Sequence, residues 1–175
     1  MQAFVQFEKG GPFYDMVANF MVAMSAMPAV FNPGNPMNFQ KGQYIAINGV
    51  HVEGKHLFPI EVYEQAQAGY TTMPFFLGHT CMAVASLAYE SVKHLNDHTV
   101  EFEFFRHVRN ASAHKNQFTF TAEEPRRPAA WRTAVLDHSV KGNANPLQGQ
   151  RCFGPLLGPA DLIQLLADIE ARIAA

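Results

Sequence analysis

Apolar residues recur at intervals of three and four positions in four parts of the chain, the pattern of helices with one buried face. They predict helices over residues 13–31, 73–95, about 97–115, and from Pro159 to near the end. In the first helix the apolar positions are Phe13, Val17, Phe20, Met21, Met24 and Met27. In the second they are Leu77, Cys81, Val84, Leu87 or Ala88, Val92 and Leu95, and in the last Leu162, Leu165, Leu166, Ile169 and Ile173. We therefore expect a mainly α fold, a bundle of about four to five helices.

The helix predicted over residues 97–115 has two different faces. Asn96 and Asp97 supply its N-cap, and the following acids, Glu101 and Glu103, suit the positive end of a helix. The apolar face is predicted to carry Val100, Phe104, Val108 and Ala111. The polar face is predicted to carry Glu103, Arg106, His107, Asn110 and His114.

Alternating segments predict one or two small β-hairpins between the helices. Residues 44–47 and 50–52 flank Asn48–Gly49, which supplies the two positive-φ positions of a tight turn. Residues 131–140 alternate again, and residues 141–146 then turn the chain back.

Three shorter segments complete the predicted organisation. Residues 32–37 form a turn cluster rich in Asn and Pro, and residues 125–128 form a loop. Residues 117–121 alternate polar residues with Phe, as a short strand does.

The composition is typical of a folded cytosolic domain. The chain has 175 residues, of which 48% are hydrophobic and 16% are charged, and its formal net charge is −2. A chain of this length usually forms one domain, so we expect a single domain over residues 1–175. A charged fraction below the usual quarter or so indicates that some surface meets another subunit. Cys81 and Cys152 are too few for a disulfide framework, which fits a reducing compartment.

The apolar segment over residues 13–31 resembles a signal peptide or a membrane span in composition only. A signal peptide has a basic start and an unbroken apolar run, whereas Asp15 and Asn19 interrupt this one. A membrane span needs about 20 apolar residues, and charges inside it are rare. We therefore expect a buried helix, no membrane association and a cytoplasmic protein.

Arg109, Asn110 and His114 are the strongest candidates for chemistry. Asn110 and His114 are four residues apart, so a helix sets them one turn apart on one face, and the long Arg109 side chain reaches the same space. An imidazole exchanges protons near neutral pH, and an arginine fork binds phosphate oxygens and stabilises the charge that builds on them. RNA supplies its own nucleophile, the 2′-OH, so this chemistry requires no metal and no cofactor.

The surroundings of these three residues are rich in cations. Between residues 106 and 132 the cations are Arg106, Arg109, Lys115, Arg126, Arg127 and Arg132, against the acids Glu123 and Glu124. A locally basic region in an acidic chain suits a phosphate-bearing ligand. A surface helix whose Arg and His are merely solvated fits the same spacing, because an Arg five residues before a His arises by chance in about one such chain in three.

The remaining candidates are weaker. Six histidines lack the spacing of a metal site and are expected to be structural or solvent-facing; they are His51, His56, His79, His94, His98 and His138. Cys81 lies on an apolar stripe and is expected in the core. Trp131 beside Arg132 either stacks a base or anchors a hairpin to the bundle.

The segment Arg109-Asn110-x-x-Ala113-His114 resembles the signature of the HEPN superfamily (higher eukaryotes and prokaryotes nucleotide-binding domain). That signature is an Arg, usually followed by a polar residue, with four to six positions in all before a His. The resemblance covers about residues 100–116. Many relatives have Gly directly after the His, where this chain has Lys115, followed by Asn116 as a candidate left-handed cap.

This resemblance implies a HEPN-like helical bundle and a homodimer in which two such helices form one composite cleft. It implies a metal-independent endoribonuclease that leaves a 2′,3′-cyclic phosphate and a 5′-hydroxyl. His114 would be the general acid and base, Arg109 the phosphate clamp and Asn110 the orienting residue. Secondary substrate contacts would come from Arg106, His107, Lys115, Trp131 and Arg132. The setting would resemble RNA cleavage in stress or phage defence, with a neutralising protein as a further partner.

A second function fits the same resemblance. A non-catalytic HEPN-type module would bind nucleic acid or a nucleotide, or only dimerise, and would keep Asn110 and the apolar face without the cleft. The net charge of −2 favours this alternative, because non-specific RNA binders are usually more basic.

Overall fold

The computed structural model describes residues 7–31 and 42–174. These residues form helices α1 (Tyr14–Phe31), α2 (Pro59–Gln67), α3 (Met73–Val92), α4 (Val100–Ala113) and α5 (Pro159–Ile173). They also form strands β1 (Ile45–Ile47), β2 (Lys55–Leu57), β3 (Ala129–Trp131) and β4 (Ala134–Leu136), paired as two antiparallel hairpins, β1–β2 and β3–β4. The prediction of a mainly α fold with small hairpins is thus confirmed.

The chain divides into two compact units. The first contains residues 1–20 and 77–175, and the second contains residues 21–76. Both boundaries fall inside continuous helices, α1 and α3, so no linker marks them in the sequence. The single HEPN-like domain over residues 1–175 stays a prediction.

The core of the first unit is built around α4. Phe102, Phe104 and Phe105 are almost completely buried, and the Phe105 ring lies edge-on to Tyr89 at 5.3 Å and to Phe13 at 6.3 Å. Such edge-to-face pairs stabilise a core beyond the area that they bury. Helix α5 adds its predicted apolar face, with no exposed surface at Leu162, Leu165, Leu166 and Ile169.

Helix α3 buries the predicted stripe with small changes. Its buried residues are Cys81, Val84, Ala85, Ala88, Tyr89 and Val92. Ala88 rather than Leu87 faces the core, because Leu87 is 61% exposed. The helix ends at Val92, and Lys93–Leu95 continue as a short 3₁₀ turn.

Helix α4 is shorter than predicted. Its N-cap is Thr99 rather than Asn96 or Asp97, because the Asp97 carboxylate accepts hydrogen bonds from the Thr99 backbone N–H (3.1 Å) and hydroxyl (2.7 Å) and turns the chain before the helix. The helix ends at Ala113 rather than at Lys115, because Lys115 adopts a left-handed conformation with φ 57°.

The predicted polar face of α4 is wrong for Glu103 and His107, which are 2% and 1% exposed. Strand β3 packs against α4, and the Phe120 ring lies 5.5 Å from the His107 ring. The helix is therefore covered on most of its circumference, and Val100, predicted on the apolar face, is instead 40% exposed.

The first predicted hairpin forms, but the prediction for its second strand is wrong. The register sets Ile47 opposite Lys55, so a longer loop begins at Asn48–Gly49 and contains residues 50–52. The loop folds back on itself, and this brings Gly49 so close to the Val52 carbonyl oxygen that an added Cβ would collide with it. Residues 50–52 consequently cannot continue as a paired strand.

The second predicted hairpin forms at a shifted position. Strands β3 and β4 are joined by a two-residue turn that begins at Arg132 (φ 53°), so the chain reverses well before residues 141–146. Residues 117–121 form no strand; they contribute one isolated bridge, between Gln117 and Arg151.

Helix α2, in the second unit, has no counterpart among the predicted elements. It begins at Pro59, which suits a first helical position because its fixed φ is helical and no donor is lost. The helix has nine residues, of which only Ala66 is buried. The turn predicted over residues 32–37 lies outside the described residues.

Helix α1 is long and apolar enough, by length and composition, to cross a membrane. Its 18 residues have a mean hydropathy of 1.2, and 17% of them are buried. Phe13, Val17 and Phe20 are buried in the first unit, as predicted, whereas Met24 and Met27 are only half-buried. A core helix and a signal sequence share these properties, so the cytoplasmic location stays a prediction.

Candidate functional site

The end of α4 presents His114 to solvent. His114 is the C-cap, and its backbone N–H donates to the carbonyl oxygens of Asn110 and Ala111, both at 3.1 Å. Its side chain is exposed and forms no hydrogen bond or ion pair with any residue that the structure describes. The imidazole is therefore available to a ligand without breaking an internal contact.

Arg109 and Asn110 are brought together beside a carboxylate of α3. Arg109 Nη1 donates to Asn110 Oδ1 at 3.3 Å, and Nη2 donates to Glu90 Oε1 at 2.5 Å. Arg109 Nε is buried and has no partner. Hydrogen bonds to Glu90 from Lys93 and from Arg109 lower the pKa of its carboxyl. Glu90 thus competes with any phosphate for this guanidinium.

The turn after His114 is left-handed at two successive residues. Lys115 has φ 57° and is exposed, and Asn116 has φ 67° and is 5% exposed. The Asn116 side chain clamps Phe153, since Nδ2 donates to the Phe153 carbonyl at 2.9 Å and Oδ1 accepts from the Phe153 N–H at 2.7 Å. This clamp fixes the backbone that leaves His114.

Asn116→Ala should lower the free energy of unfolding by about 2–3 kcal/mol, because it leaves both backbone groups of Phe153 without partners and puts alanine at a positive φ. Urea unfolding at neutral pH measures this. Lys115→Gly is the matched control in the same turn, and it should leave stability unchanged or raise it, because glycine adopts a positive φ without strain. Equal losses in both variants would contradict the clamp.

Glu103 is the centre of a buried ionic network beneath the predicted site. Its carboxylate accepts from Arg106 Nε and from His98 Nδ1, each at 2.9 Å, and Arg127 Nη1 lies 3.8 Å away. Arg106 Nη1 donates to Glu124 at 2.9 Å. Burial opposes ionisation of Glu103, but hydrogen bonds from His98 and Arg106 outweigh it and lower the pKa. The Arg106 guanidinium is thus bound by two carboxylates.

His107 completes this network as a neutral ring. Arg106 Nη2 lies 3.0 Å from His107 Nε2, and since a guanidinium only donates, Nε2 accepts and Nδ1 carries the proton. Burial, together with the adjacent Arg106 charge, lowers the pKa of His107 to about 4. Its ring is tilted against the Phe120 ring at 5.5 Å and is buried, whereas His114 is exposed.

Acidification should destabilise the protein through His107. The pKa of His107 is about 4 in the folded chain and about 6.5 in the unfolded chain. The contribution of neutral His107 to the free energy of unfolding is therefore fully present above pH 6.5 and is lost as the pH falls towards 4. Between pH 7 and pH 4 the wild type should lose about 3 kcal/mol more than His107→Gln, whose amide oxygen keeps an acceptor for Arg106 but does not titrate. Urea unfolding at both pH values measures the difference. The exposed His138→Gln should follow the wild type, and the same behaviour in His107→Gln would refute the assignment.

Trp131 and Arg132 lie at a pocket of about 370 Å³ lined by Glu101, Trp131, Arg132, Asp168 and Arg172. Trp131 is 5% exposed, and its Nε1 donates to Asp168 Oδ2 at 2.8 Å. The Arg132 guanidinium covers the indole at 4.9 Å from its centroid. Of the two alternatives for Trp131, these contacts fit the anchoring one.

The predicted site residues therefore fall into three places. Arg109, Asn110, His114 and Lys115 lie at the C-terminal end of α4, and Arg106 with His107 belongs to the buried network. Trp131 and Arg132 share their pocket with Glu101, in the first turn of α4. Glu101 and His114 are about 20 Å apart along the helix. Within one chain the two ends cannot hold the same phosphate.

Most of the predicted basic region is neutralised by acids. Arg106, Arg109, Arg126, Arg127 and Arg132 all have a carboxylate within 4 Å, and of the six cations only Lys115 has no ion pair among the described residues. Three of these acids, Glu90, Glu103 and Asp168, lie outside residues 106–132, the segment in which cations outnumber acids in the sequence. Glu103 is detectable as the residue three before Arg106 on a helix, whereas no local signal identifies Glu90 or Asp168, because each belongs to another helix.

The cysteines are structural. Cys81 is 1% exposed, as predicted for a core residue, and Cys152 is completely buried. Burial raises the pKa of each thiol to about 12, so neither forms a nucleophilic thiolate near neutral pH. Over residues 7–31 and 42–174, no group of three or more His, Cys, Asp or Glu side chains is arranged to hold a metal ion.

Comparison of the chain with protein-family models, with curated proteins and with solved structures found no match.

Proposed function

We propose that this protein is a metal-independent endoribonuclease of HEPN type that acts as a homodimer. The observation that carries the proposal is the exposed imidazole of His114 at the end of α4, which has no partner among the described residues and lies one turn after Asn110 and its neighbour Arg109. An exposed histidine without a hydrogen bond to the described part of the chain is free to exchange protons with a substrate.

In the proposed reaction the RNA 2′-oxygen attacks the adjacent phosphorus and the 5′-oxygen leaves. His114 of one copy takes the proton from the 2′-OH, and His114 of the other gives a proton to the leaving 5′-oxygen, because one imidazole cannot do both in one step. Arg109 stabilises the charge on the non-bridging oxygens, and Asn110 orients its guanidinium. The products are a 2′,3′-cyclic phosphate and a 5′-hydroxyl.

The backbone after His114 supports the resemblance to the family. Many relatives have Gly directly after the His, and here Lys115 adopts φ 57°, a conformation that favours glycine. Lys115 therefore departs from the family in side chain, while its backbone adopts a conformation that glycine adopts without strain. Its ammonium group is exposed and has no ion pair with residues 7–31 and 42–174, so it can contact a phosphate beside His114.

Arg109 must exchange one carboxylate for another anion in this reaction. Glu90 holds Nη2 at 2.5 Å, and both side chains are about one-third exposed, 34% for Arg109 and 38% for Glu90. Exposed ion pairs of this kind contribute at most about 1 kcal/mol, so an incoming phosphate can replace Glu90 at small cost.

The test is incubation of the purified chain with single-stranded RNA in EDTA, followed by analysis of the fragment ends. We expect cyclic-phosphate and 5′-hydroxyl ends, and sedimentation at about twice 19.5 kDa. Fragments with 5′-phosphate ends, or cleavage only after a metal is added, would overturn the mechanism. A strictly monomeric chain that still cleaves would overturn the two-copy site.

A non-catalytic HEPN-type binding or dimerisation module is the second candidate, and the ion pairs favour it. Five of the six cations of the basic region already have carboxylate partners, which weakens the field available to a polyanion. A stable dimer that binds a nucleotide or RNA without cleaving it would establish this function. A neutralising protein partner and a role in stress or phage defence belong to the endoribonuclease proposal and not to this second candidate.

A further inference from the structure

The pocket at the N-terminal end of α4 holds a carboxylate that has no partner among the described residues. Its volume of about 370 Å³ lies within the range of small-molecule sites, and Glu101, Trp131, Arg132, Asp168 and Arg172 line it. Glu101 lies in the first turn of α4 and is exposed, and its carboxylate forms no hydrogen bond or ion pair over residues 7–31 and 42–174. Glu101 is therefore free to accept hydrogen bonds from a ligand.

Arg132 supplies a flat surface in the same pocket. Its guanidinium covers the Trp131 indole at 4.9 Å from the ring centroid and lies 3.6 Å from Asp168 Oδ2. The indole beneath it is fixed, because Trp131 Nε1 donates to the same carboxylate oxygen at 2.8 Å. The Arg132 side chain is 59% exposed, so a ligand can reach the guanidinium. Trp131 thus anchors the hairpin, and Arg132 offers a plane of the kind on which unpaired RNA bases stack.

The charges of this pocket favour a neutral ligand. Arg172 is already paired, since its Nε and Nη2 lie 3.1 and 3.0 Å from Asp97 Oδ2. A phosphate would meet the negative charges of Glu101 and Asp168, and a cationic ligand would meet the positive charge of Arg132. A neutral planar group that donates hydrogen bonds to Glu101 and stacks on Arg132 avoids both repulsions.

Guanine is the RNA base whose pairing edge fits a carboxylate best. Its N1–H and N2–H₂ groups are adjacent donors, so the two oxygens of one carboxylate can accept from both. Adenine and cytosine each place a ring acceptor beside the amino group, and uracil has a single N–H between two carbonyl oxygens. Those acceptors would face a carboxylate oxygen and repel it. An unpaired carboxylate such as that of Glu101 therefore discriminates guanine from the other three bases.

We propose that this pocket binds a guanine of the RNA strand that His114 cleaves, with Glu101 accepting from the N1–H and N2–H₂ groups and Arg132 stacking on the base. The role in RNA cleavage rests on the proposed ribonuclease function. Glu101 and His114 are about 20 Å apart along α4. Phosphates of one strand are about 3.4 Å apart along a stacked helix and farther apart in an extended strand, so the guanine lies at most about six nucleotides from the cleaved bond.

The indole N–H resonance of Trp131 reports binding in this pocket without any cleavage, because Trp131 is the only tryptophan of the chain. We expect GMP, titrated into the ¹⁵N-labelled full chain, to shift this resonance and to bind about 10-fold more tightly than AMP, CMP or UMP. IMP is the matched ligand, since it lacks only the 2-amino group, and it should bind about 10-fold more weakly than GMP. Equal affinities for GMP and IMP, or no shift with GMP, would overturn the proposal whether or not the chain cleaves RNA.

Two variants separate the roles of the carboxylate and the stacking surface. Glu101→Gln should abolish the preference for GMP over IMP, because an amide offers one acceptor oxygen. Glu61→Gln is the matched control, an exposed acid in the first turn of α2 that does not line the pocket, and it should keep the preference. Arg132→Gly, which suits the φ of 53°, should weaken GMP and AMP alike by about 10-fold, because stacking does not depend on the base edge. A preference for GMP that survives in Glu101→Gln would overturn the role of Glu101.

Cleavage of an oligouridylate with a single central guanosine distinguishes the failure of this proposal from the failure of the ribonuclease function. The wild type should cut within about six nucleotides of the guanosine, and about 10-fold more slowly when inosine replaces it. Cuts spread evenly along the RNA, at equal rates for both substrates, would overturn the guanine site and leave the ribonuclease function standing. No cleavage, with the GMP preference intact, would overturn the ribonuclease function and the role of the pocket in cleavage, but not the binding of guanine.

Discussion

Under the proposed ribonuclease mechanism, replacing His114 with alanine should slow RNA cleavage by about 10²–10⁴-fold, the usual contribution of a general acid or base. The expected loss lies in the rate of cleavage rather than in folding, because the imidazole is exposed and has no partner in the described structure. Its backbone hydrogen bonds to the last turn of α4 remain available to alanine. Single-turnover cleavage of a labelled RNA in EDTA measures this, with far-UV circular dichroism and urea unfolding as checks on the fold.

The matched control is His138→Ala, which removes an exposed imidazole from a residue outside the proposed site. It should cleave at the wild-type rate. A mixture of His114→Ala with Arg109→Ala adds a sharper test, because the mixed dimer contains only one His114. If one His114 is the base and the other the acid, mixing the two variants should not restore wild-type cleavage. Wild-type cleavage by His114→Ala would remove this histidine from the mechanism.

Glu103→Ala should lower the free energy of unfolding by about 3–5 kcal/mol, the usual cost of removing one partner from a buried ionic network. Glu103 is 2% exposed and accepts hydrogen bonds from Arg106 and His98, so alanine leaves a cavity and a partly buried guanidinium with one carboxylate, that of Glu124. Urea unfolding at pH 7 measures the loss.

The contrasting control is the exposed ion pair between Glu123 and Arg126, whose side chains are 76% and 67% exposed. Glu123→Ala should cost no more than about 1 kcal/mol, because water screens the pair and solvates the partner that is left. Glu103→Gln keeps the shape of the side chain and should recover part of the loss. Equal effects in Glu103→Ala and Glu123→Ala would show that the Glu103 network contributes no more than a surface pair.

The network also explains why Arg106 and His107 are covered, whereas His114, on the same predicted face, is exposed. On an isolated helix, Arg106, His107, Asn110 and His114 share a polar face and would all meet solvent. In the folded chain, Glu124 and Phe120 from the following segment cover the first two, whereas nothing in the described structure covers His114. The predicted active surface is thereby reduced to the last turn of α4 and the turn after it.

Periodicity alone identified four of the five helices, because burying an apolar face on a compact core requires the same spacing wherever the core lies. It identified all four core positions of α5, and it failed for α2, a nine-residue helix that buries only Ala66. The sequence located the two hairpins to within several residues but did not predict their registers. The loop that folds back on Gly49 and the turn that begins at Arg132 depend on contacts and backbone angles, which turn residues in the sequence do not specify.

The order Arg109-Asn110-x-x-x-His114, which lies on the last turn of α4 and its C-cap, is determined by the sequence itself. Only the tertiary structure decided which cations remain available to a phosphate. Glu90 and Asp168 belong to other helices, and they pair with Arg109 and Arg132 because folding brings them close in space. For the same reason the sequence grouped Trp131 with His114, and folding separated them by most of the length of α4.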